Sequence, residues 1–254
     1  MTNKGATTVG ATETTLRILE TLKRLDGAGV TEVANRLDIP KSTVHNHVST
    51  LLGNEYLVKE GNTYRVGLRF LEFGEHIRNR MPIHDVARGE VERLAEESGE
   101  LANLLVEEHG KGVYLCRAKG DQAVRLDTYA GMRVHLHCTA LGKAILAYLP
   151  EERVREIVDT HGLPERTDAT ITDEEELFDE LEGIRDRGYA RDMEERVAGL
   201  LCVAAPIRNL DGDPLGAISV SGPTSRMKGE RFDEEVPEEL TSTANVIELN
   251  LNYS

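Results

Sequence analysis

The chain has no apolar run long enough to span a bilayer, and its first residues lack the charged-then-apolar pattern of a secretory signal. Only three cysteines occur in 254 residues, Cys116, Cys138 and Cys202. They are too few and too scattered for a disulfide framework. These absences exclude the membrane-spanning and disulfide-stapled classes and lead us to expect a cytoplasmic protein. Internal repeats and low-complexity tracts are missing too. Lysine is scarce, supplying eight of the 30 basic residues against 45 acidic ones. A hydrated, acidic, lysine-poor surface is expected of a halophilic protein from a very salty cytoplasm; the alternative is an ordinary acidic protein.

A net charge of −15 would argue against a nucleic-acid partner if it were evenly spread. It is not. Residues 1–66 hold eight basic and seven acidic residues, a net of +1, while the remainder carries −16. The near-neutral part contains the most informative stretch, residues 31–52 (TEVANRLDIPKSTVHNHVSTLL). Thr31 is an N-cap residue type ahead of Val33, Ala34 and Leu37, which share one helical face. Asp38-Ile39-Pro40 breaks the chain, because proline disfavours helix in the residue before it and can open a new one. Val44, Val48, Leu51 and Leu52 then form a second apolar stripe. Ser42, His45, Asn46 and Ser49 lie on another face with no acidic residue, joined by Lys41 and Thr43 at the helix start. Small donors and acceptors of this kind reach base edges in a major groove.

Two amphipathic helices and a turn are common in all-α proteins, so the sequence that follows matters. Tyr56-Leu57-Val58-Lys59 and Thr63-Tyr64-Arg65-Val66 flank Glu60-Gly61-Asn62, a β-hairpin signal. A helix-turn-helix closed by a hairpin is a winged helix, and Lys59, Tyr64 and Arg65 would offer phosphate donors from the wing. The expected plan is a disordered lead-in over 1–11, a winged helix-turn-helix over 12–67, a linker helix over 68–82 and an α+β domain over 83–254. The first helix, residues 12–25, would present Leu16, Leu19, Leu22 and Leu25. Phe70, Phe73 and Ile77 on the linker would pack on a twin, giving a homodimer or tetramer. In the larger domain, strands are expected over 101–107, 112–118, 122–129, 132–137, 201–208 and 214–221. Helices are expected over 86–97, from 140 to 147, over 174–186 and over 237–251, the strands pairing antiparallel.

Catalytic motifs fail. Leu141-Gly142-Lys143-Ala144 lacks the earlier glycine and the hydroxyl of a phosphate loop. Residues 216–222 are not a G-x-S-x-G elbow. Glu194-Glu195 face apart and are expected in a solvated loop. His135, His137, Cys138 and Cys202 are metal-ligand types, but H-x-H-C with one distant cysteine matches no zinc spacing. No cofactor is implied. Ser219 and Ser221 share a strand face, where they would bind a ligand or satisfy each other. Asp192 would accept a ligand hydroxyl or cap residues 194–197.

The blocks IPKSTVHNHVSTL, YRVGLRFLEFG, HCTALGKAILAYLP, GYARDMEERVAGLLCVAAPIRN and ISVSGPTSRM resemble, in order, the IclR family of bacterial and archaeal transcriptional regulators. The resemblance implies a DNA-binding winged helix, a dimerising linker helix and a profilin-like, GAF-related α+β effector-binding domain. It also implies a double-stranded DNA operator and a small effector such as an organic acid, sugar acid or aromatic compound. Carried over residue by residue, effector contacts fall on the Ala140 and Leu141 amides, on Asp192, Cys202, Ser219 and Ser221, and on the wall positions Leu126, Val134 and Leu200. Asn46 stands where the family commonly has a recognition-helix arginine. The alternative function is a ligand-binding or enzymatic domain whose winged helix contacts a protein.

Overall fold

A computed structural model describes residues 8–126 and 128–253. The chain divides at residue 77/78 into two compact units.

In the first unit, α1 (Gly10–Arg24) buries Ile18 and Leu22. Leu16, expected on that face, is exposed, because two residues turn about 200° around a helix. Gly10 and Ala11, expected in the lead-in, begin α1; residues 1–7 lie outside the described residues. Next comes α2 (Val30–Leu37), capped by Gly29 rather than Thr31. The first helical hydrogen bond runs from Val33 N to Gly29 O, which puts Thr31 inside the first turn. Asp38 turns into the left-handed region at φ 53°, and Pro40 caps α3 (Lys41–Gly53). Val33, Ala34, Val44, Val48 and Leu51 close one core with Ile18, Leu22 and Leu57. Each of the Val, Leu and Ile side chains contributes roughly 1.5–3 kcal/mol by leaving water.

The wing is β1 (Leu57–Glu60) and β2 (Thr63–Val66), turning at Gly61 with φ 61°. Ala28 and Tyr64 exchange both backbone hydrogen bonds, tying the wing to the chain between α1 and α2. Then α4 (Arg69–Arg78) buries none of its side chains and leaves Phe73 and Ile77 48% and 59% exposed. Phe70 and Phe73 lie beside the Tyr56 ring, with centroids 5.1 and 6.0 Å away.

The second unit opens with α5 (Pro82–Ser98), Pro82 standing at the helix start where its missing N–H costs nothing. A hairpin follows, β3 (Leu101–Glu108) and β4 (Lys111–Lys119), then β5 (Arg133–Val134). Three helices come next: α6 (Ala140–Leu146), α7 (Glu151–His161) and α8 (Glu174–Arg187). The chain ends with β6 (Ala190–Met193), β7 (Leu200–Arg208), β8 (Pro214–Pro223), a π-helical turn and α9 (Val236–Tyr253). The sheet order is β5-β4-β3-β8-β7-β6, and every pairing is antiparallel. Alternate residues serve two cores. Ala102, Leu104, Val203, Ile218 and Val220 pack under α5 and α9, while Leu105, Cys202, Ala204 and Ala217 pack under α6, α7 and α8.

In the elements of the second unit, expectation and structure part in three places. Residues 122–126 and 128–129 form no strand; Arg117 donates to the carbonyls of Leu126 and Thr128. The strand expected over 132–137 shrinks to Arg133–Val134, after which Leu136 and Thr139 make a turn. The elements α7 and β6 were not foreseen; β6 finds its partner only in β7. Among the described residues, no helix is long and apolar enough to cross a membrane.

Candidate functional site

On α3, the burial of Val44, Val48 and Leu51 points the opposite side into water. Lys41, Ser42, His45, Asn46 and Ser49 are all exposed there, and Thr43 is half-buried. His47 turns inward, where its Nδ1 meets the Thr15 hydroxyl at 2.8 Å. The foreseen polar stripe therefore exists as one open surface without an acidic group.

The wing departs from expectation. Arg65 is drawn back onto the body, bonding the Asp26 carbonyl and lying 3.0 and 3.1 Å from the Asp26 and Glu60 carboxylates. Tyr64 is half-buried against the core, with Lys59 Nζ 5.4 Å from its ring centre. Lys59 itself remains exposed. The turn geometry brings Asp26 under the wing, a placement no local pattern signals.

In the second unit, sheet register brings the expected polar residues together. Asp192 pairs with Cys202, and Cys202 with Ser221. Their side chains share the face covered by α6. Ser221 Oγ donates to Cys202 Sγ at 3.0 Å, and Ser219 lies against the same thiol. The two serines thus do not satisfy each other. Burial, reinforced by the Asp192 charge, pushes the Cys202 thiol up to about 12, which keeps it protonated. Asp192 is 4% exposed, and burial together with the nearby Glu195 charge raises its carboxyl to about 7. Its Oδ1 accepts from Glu195 N at 2.7 Å, so the turn-capping role is present.

Ala140 and Leu141 open α6, where Thr139 Oγ accepts from Gly142 N at 2.9 Å. The first amides of a helix have no acceptor within it. A Cβ on Gly142 would lie 2.1 Å from Leu136 O, so only glycine lets α6 sit this close. Val134 joins Leu141 in the core under α6, and Leu200 is buried at the start of β7. Leu126 stands outside that core, its carbonyl 3.3 Å from Arg117.

Glu195 corrects an expectation. It is not in a solvated loop but 5% exposed, with Oε1 2.5 Å from the equally buried Lys143 Nζ. Glu180 lies 3.3 Å from the same ammonium. Burial raises the Glu195 carboxyl and Lys143 pulls it back. Lys143 follows Gly142 in sequence, but its acidic partners lie 37 and 52 residues away, which sequence spacing cannot reveal. His135 and His137 meet edge to face at 5.6 Å, and burial lowers each to about 4. Cys138 Sγ turns to the His135 carbonyl, and Cys202 to Ser221. Among the described residues, no group of three or more His, Cys, Asp or Glu is placed to hold a metal ion.

A winged helix with an open polar face, joined to an α+β domain, is the architecture of a DNA-binding transcriptional regulator. Family comparison agrees. The "IclR helix-turn-helix domain" matches residues 11–61, and "Bacterial transcriptional regulator IclR C-terminal" matches residues 76–249. The chain belongs to the IclR family of transcriptional regulators, which are not enzymes. It is 36% identical over 226 residues to the HTH-type transcriptional regulator BhcR of Paracoccus denitrificans, covering 88% of this chain and 81% of that one. It is 31% identical over 240 residues to a Halobacterium salinarum protein named "Probable HTH-type transcriptional regulator ArcR", covering 93% and 91%. Among solved structures, an IclR homolog of Microbacterium hydrocarbonoxydans complexed with 4-hydroxybenzoate superposes with a TM-score of 0.81 at 27% identity, over 96% of this chain and 100% of that one.

Proposed function

We propose that residues 12–67 bind a near-palindromic operator as one head of a homodimer or tetramer, that residues 68–82 link the heads, and that residues 83–254 bind a small effector. The observation that carries this reading is the open face of α3, where Ser42, His45, Asn46 and Ser49 stand exposed beside Lys41. Such groups read base edges, while Lys59 meets phosphate from the wing. The apolar side of α4, with Phe73 and Ile77 in water, supports a second copy of the chain as its cover. The effector reading is supported by Asp192, Cys202, Ser219 and Ser221 sharing one buried sheet face, beside the helix start at Ala140 and Leu141. The relative bound to 4-hydroxybenzoate supports a carboxylate-bearing effector. Effector binding shifts affinity for the operator by favouring one of two dimer states.

Operation in a salty cytoplasm fits the acidic second unit and the scarcity of lysine. The test is a footprint across promoters adjacent to the gene, with and without sugar acids, repeated from low to molar salt. A protected two-fold site, changed by an acid and kept at high salt, is the expected result. No protected site refutes the DNA reading. Protection that an effector binds but does not change refutes the coupling. Loss of binding at high salt refutes the halophilic reading.

A further inference from the structure

The chain after residue 66 carries a net charge of −16, yet one corner of the second unit is cationic. There the β3–β4 turn, the edge strand β5 and the segment after α7 bring together Lys111, Arg133, His135 and Arg166. His109 and Gly110 make the turn in the left-handed region, at φ 53° and 74°, and the His109 carbonyl accepts from His161 Nε2 at 2.8 Å. A Cβ on Gly110 would lie 2.7 Å from the His161 ring, so the glycine lets the turn close on the end of α7. That contact holds Lys111 beside β5, with its Nζ 3.0 Å from a ring nitrogen of His135. His135 in turn meets His137 and His161 edge to face, with ring centres 5.6 and 6.5 Å away.

No acid answers these cations. Elsewhere in the second unit Lys143, Arg153, Arg187 and Arg226 each hold a carboxylate at 2.5 to 3.0 Å. Among the described residues, Lys111, Arg133 and Arg166 hold none; Lys111 meets the His135 ring, and Arg133 the Glu108 carbonyl at 3.4 Å. Lys111 is half-buried, and burial lowers its ammonium, with the Arg133 and Arg166 charges lowering it further. Burial, then Lys111, His137, Arg166 and His161, hold His135 near 4, so its ring is neutral and has one N–H to give. Like charges gathered without a counter-charge repel one another, and an anion that accepts their hydrogen bonds relieves that repulsion. A phosphate group suits this set better than a carboxylate. It brings nearly two charges to answer three, and its three terminal oxygens accept from donors arriving from different directions.

We propose that Lys111, Arg133, His135 and Arg166 form a second site, at the outer edge of the sheet, that binds a phosphate group. It is separate from the effector site described above and does not rest on it. The strand that carries Arg133 and the strand that carries Asp192 are the opposite edges of the sheet. Arg133 and His135 flank Val134, whose side chain enters the core under α6, so alternation sets both outside that core.

Calorimetry of the full chain with inorganic phosphate, glucose 6-phosphate and glucose, at one fixed ionic strength, tests the assignment. Native protein is expected to bind one or both phosphates and not glucose. Tighter binding of the ester identifies a phosphomonoester as the ligand, and equal or tighter binding of the inorganic ion identifies free phosphate. Lys111→Met should weaken binding about tenfold or more, while Lys111→Arg retains most of it. Arg166→Gln, at a more exposed position, should weaken it less. Lys119→Met, at the far exposed end of β4, should leave it unchanged. The His135 ring resonances should titrate at higher pH with phosphate bound, because a nearby anion favours the imidazolium; a patch that only shapes the fold gives no such shift. Thermal melts establish that each variant is folded. Native protein that binds neither phosphate, or that binds glucose as tightly as its ester, overturns the ligand class. Unchanged affinity in Lys111→Met overturns the location. Displacement of phosphate by a sugar acid overturns the separation of the two sites, whereas a footprint that no sugar acid alters counts against the effector reading alone.

Discussion

On α3, Ser42, His45, Asn46 and Ser49 stand in water, whereas in the second unit Asn103, Asp192, Ser219 and Ser221 are each at most 5% exposed. The same residue types do different things in the two settings. Solvated groups are already hydrogen-bonded to water and keep their donors available to any partner that displaces it. Buried groups have lost that water, so each must be paired inside the protein or by a ligand. The open face of α3 can therefore be altered with little effect on folding, while the second unit couples folding and ionisation in one network.

The largest expected break of that contrast is Lys143→Met. It strands Glu195 as an uncompensated buried charge, so the second unit should lose about 3–5 kcal/mol in urea unfolding. A loss no larger than that of a surface substitution would show that the pair is not coupled to the fold. Asp192→Asn comes next. The folded carboxyl titrates near 7 because burial raises it, while the unfolded one titrates in the ordinary carboxylate range. Between those values the folded state holds a proton that the unfolded chain has released, so native stability falls as pH rises and then levels above neutrality. The asparagine variant lacks this slope. Its stability relative to the native chain should rise between pH 5 and pH 8, and a pH-independent difference would contradict the assignment.

A smaller effect, confined to binding, is expected from Ser42→Ala, His45→Ala and Asn46→Ala combined. Specific DNA affinity should drop about 100-fold, while the free energy of unfolding changes by no more than the roughly 0.5 kcal/mol typical of surface substitutions. Unchanged DNA retention would move the interface elsewhere. The smallest is Lys59→Ala, which should lower the slope of log affinity against log salt by about one and weaken all sequences alike. Arg65→Ala should change that slope less, because Arg65 is already paired with Asp26 and Glu60. A larger change than at Lys59 would mean that Arg65 releases both carboxylates on DNA.

Much of this is legible in the sequence. The helical stripe of Val44, Val48 and Leu51, the break at Pro40 and the hairpin about Gly61 are local signals, and local geometry honoured them. Ser219 and Ser221 were readable as one face because strand side chains alternate with a period of two. The strand β5 is shorter than the sequence pattern predicts because a strand needs a partner, and only two residues there find one on β4. The burial of Glu195 is hidden from the sequence for a similar reason. Nothing within a few residues of Glu194-Glu195 shows that Lys143 will be brought to 2.5 Å.

The sequence alone determined the periodicities, the charge division between the two units and the family, because these depend on residues close together along the chain or on their order. Tertiary structure alone decided what each polar group meets. It drew Arg65 back to Asp26, buried Lys143 between Glu180 and Glu195, and set Asn103 opposite Ser219 with Arg196 across the face on Tyr114. Those partners lie tens of residues apart or more, and only strand register and helix packing bring them together.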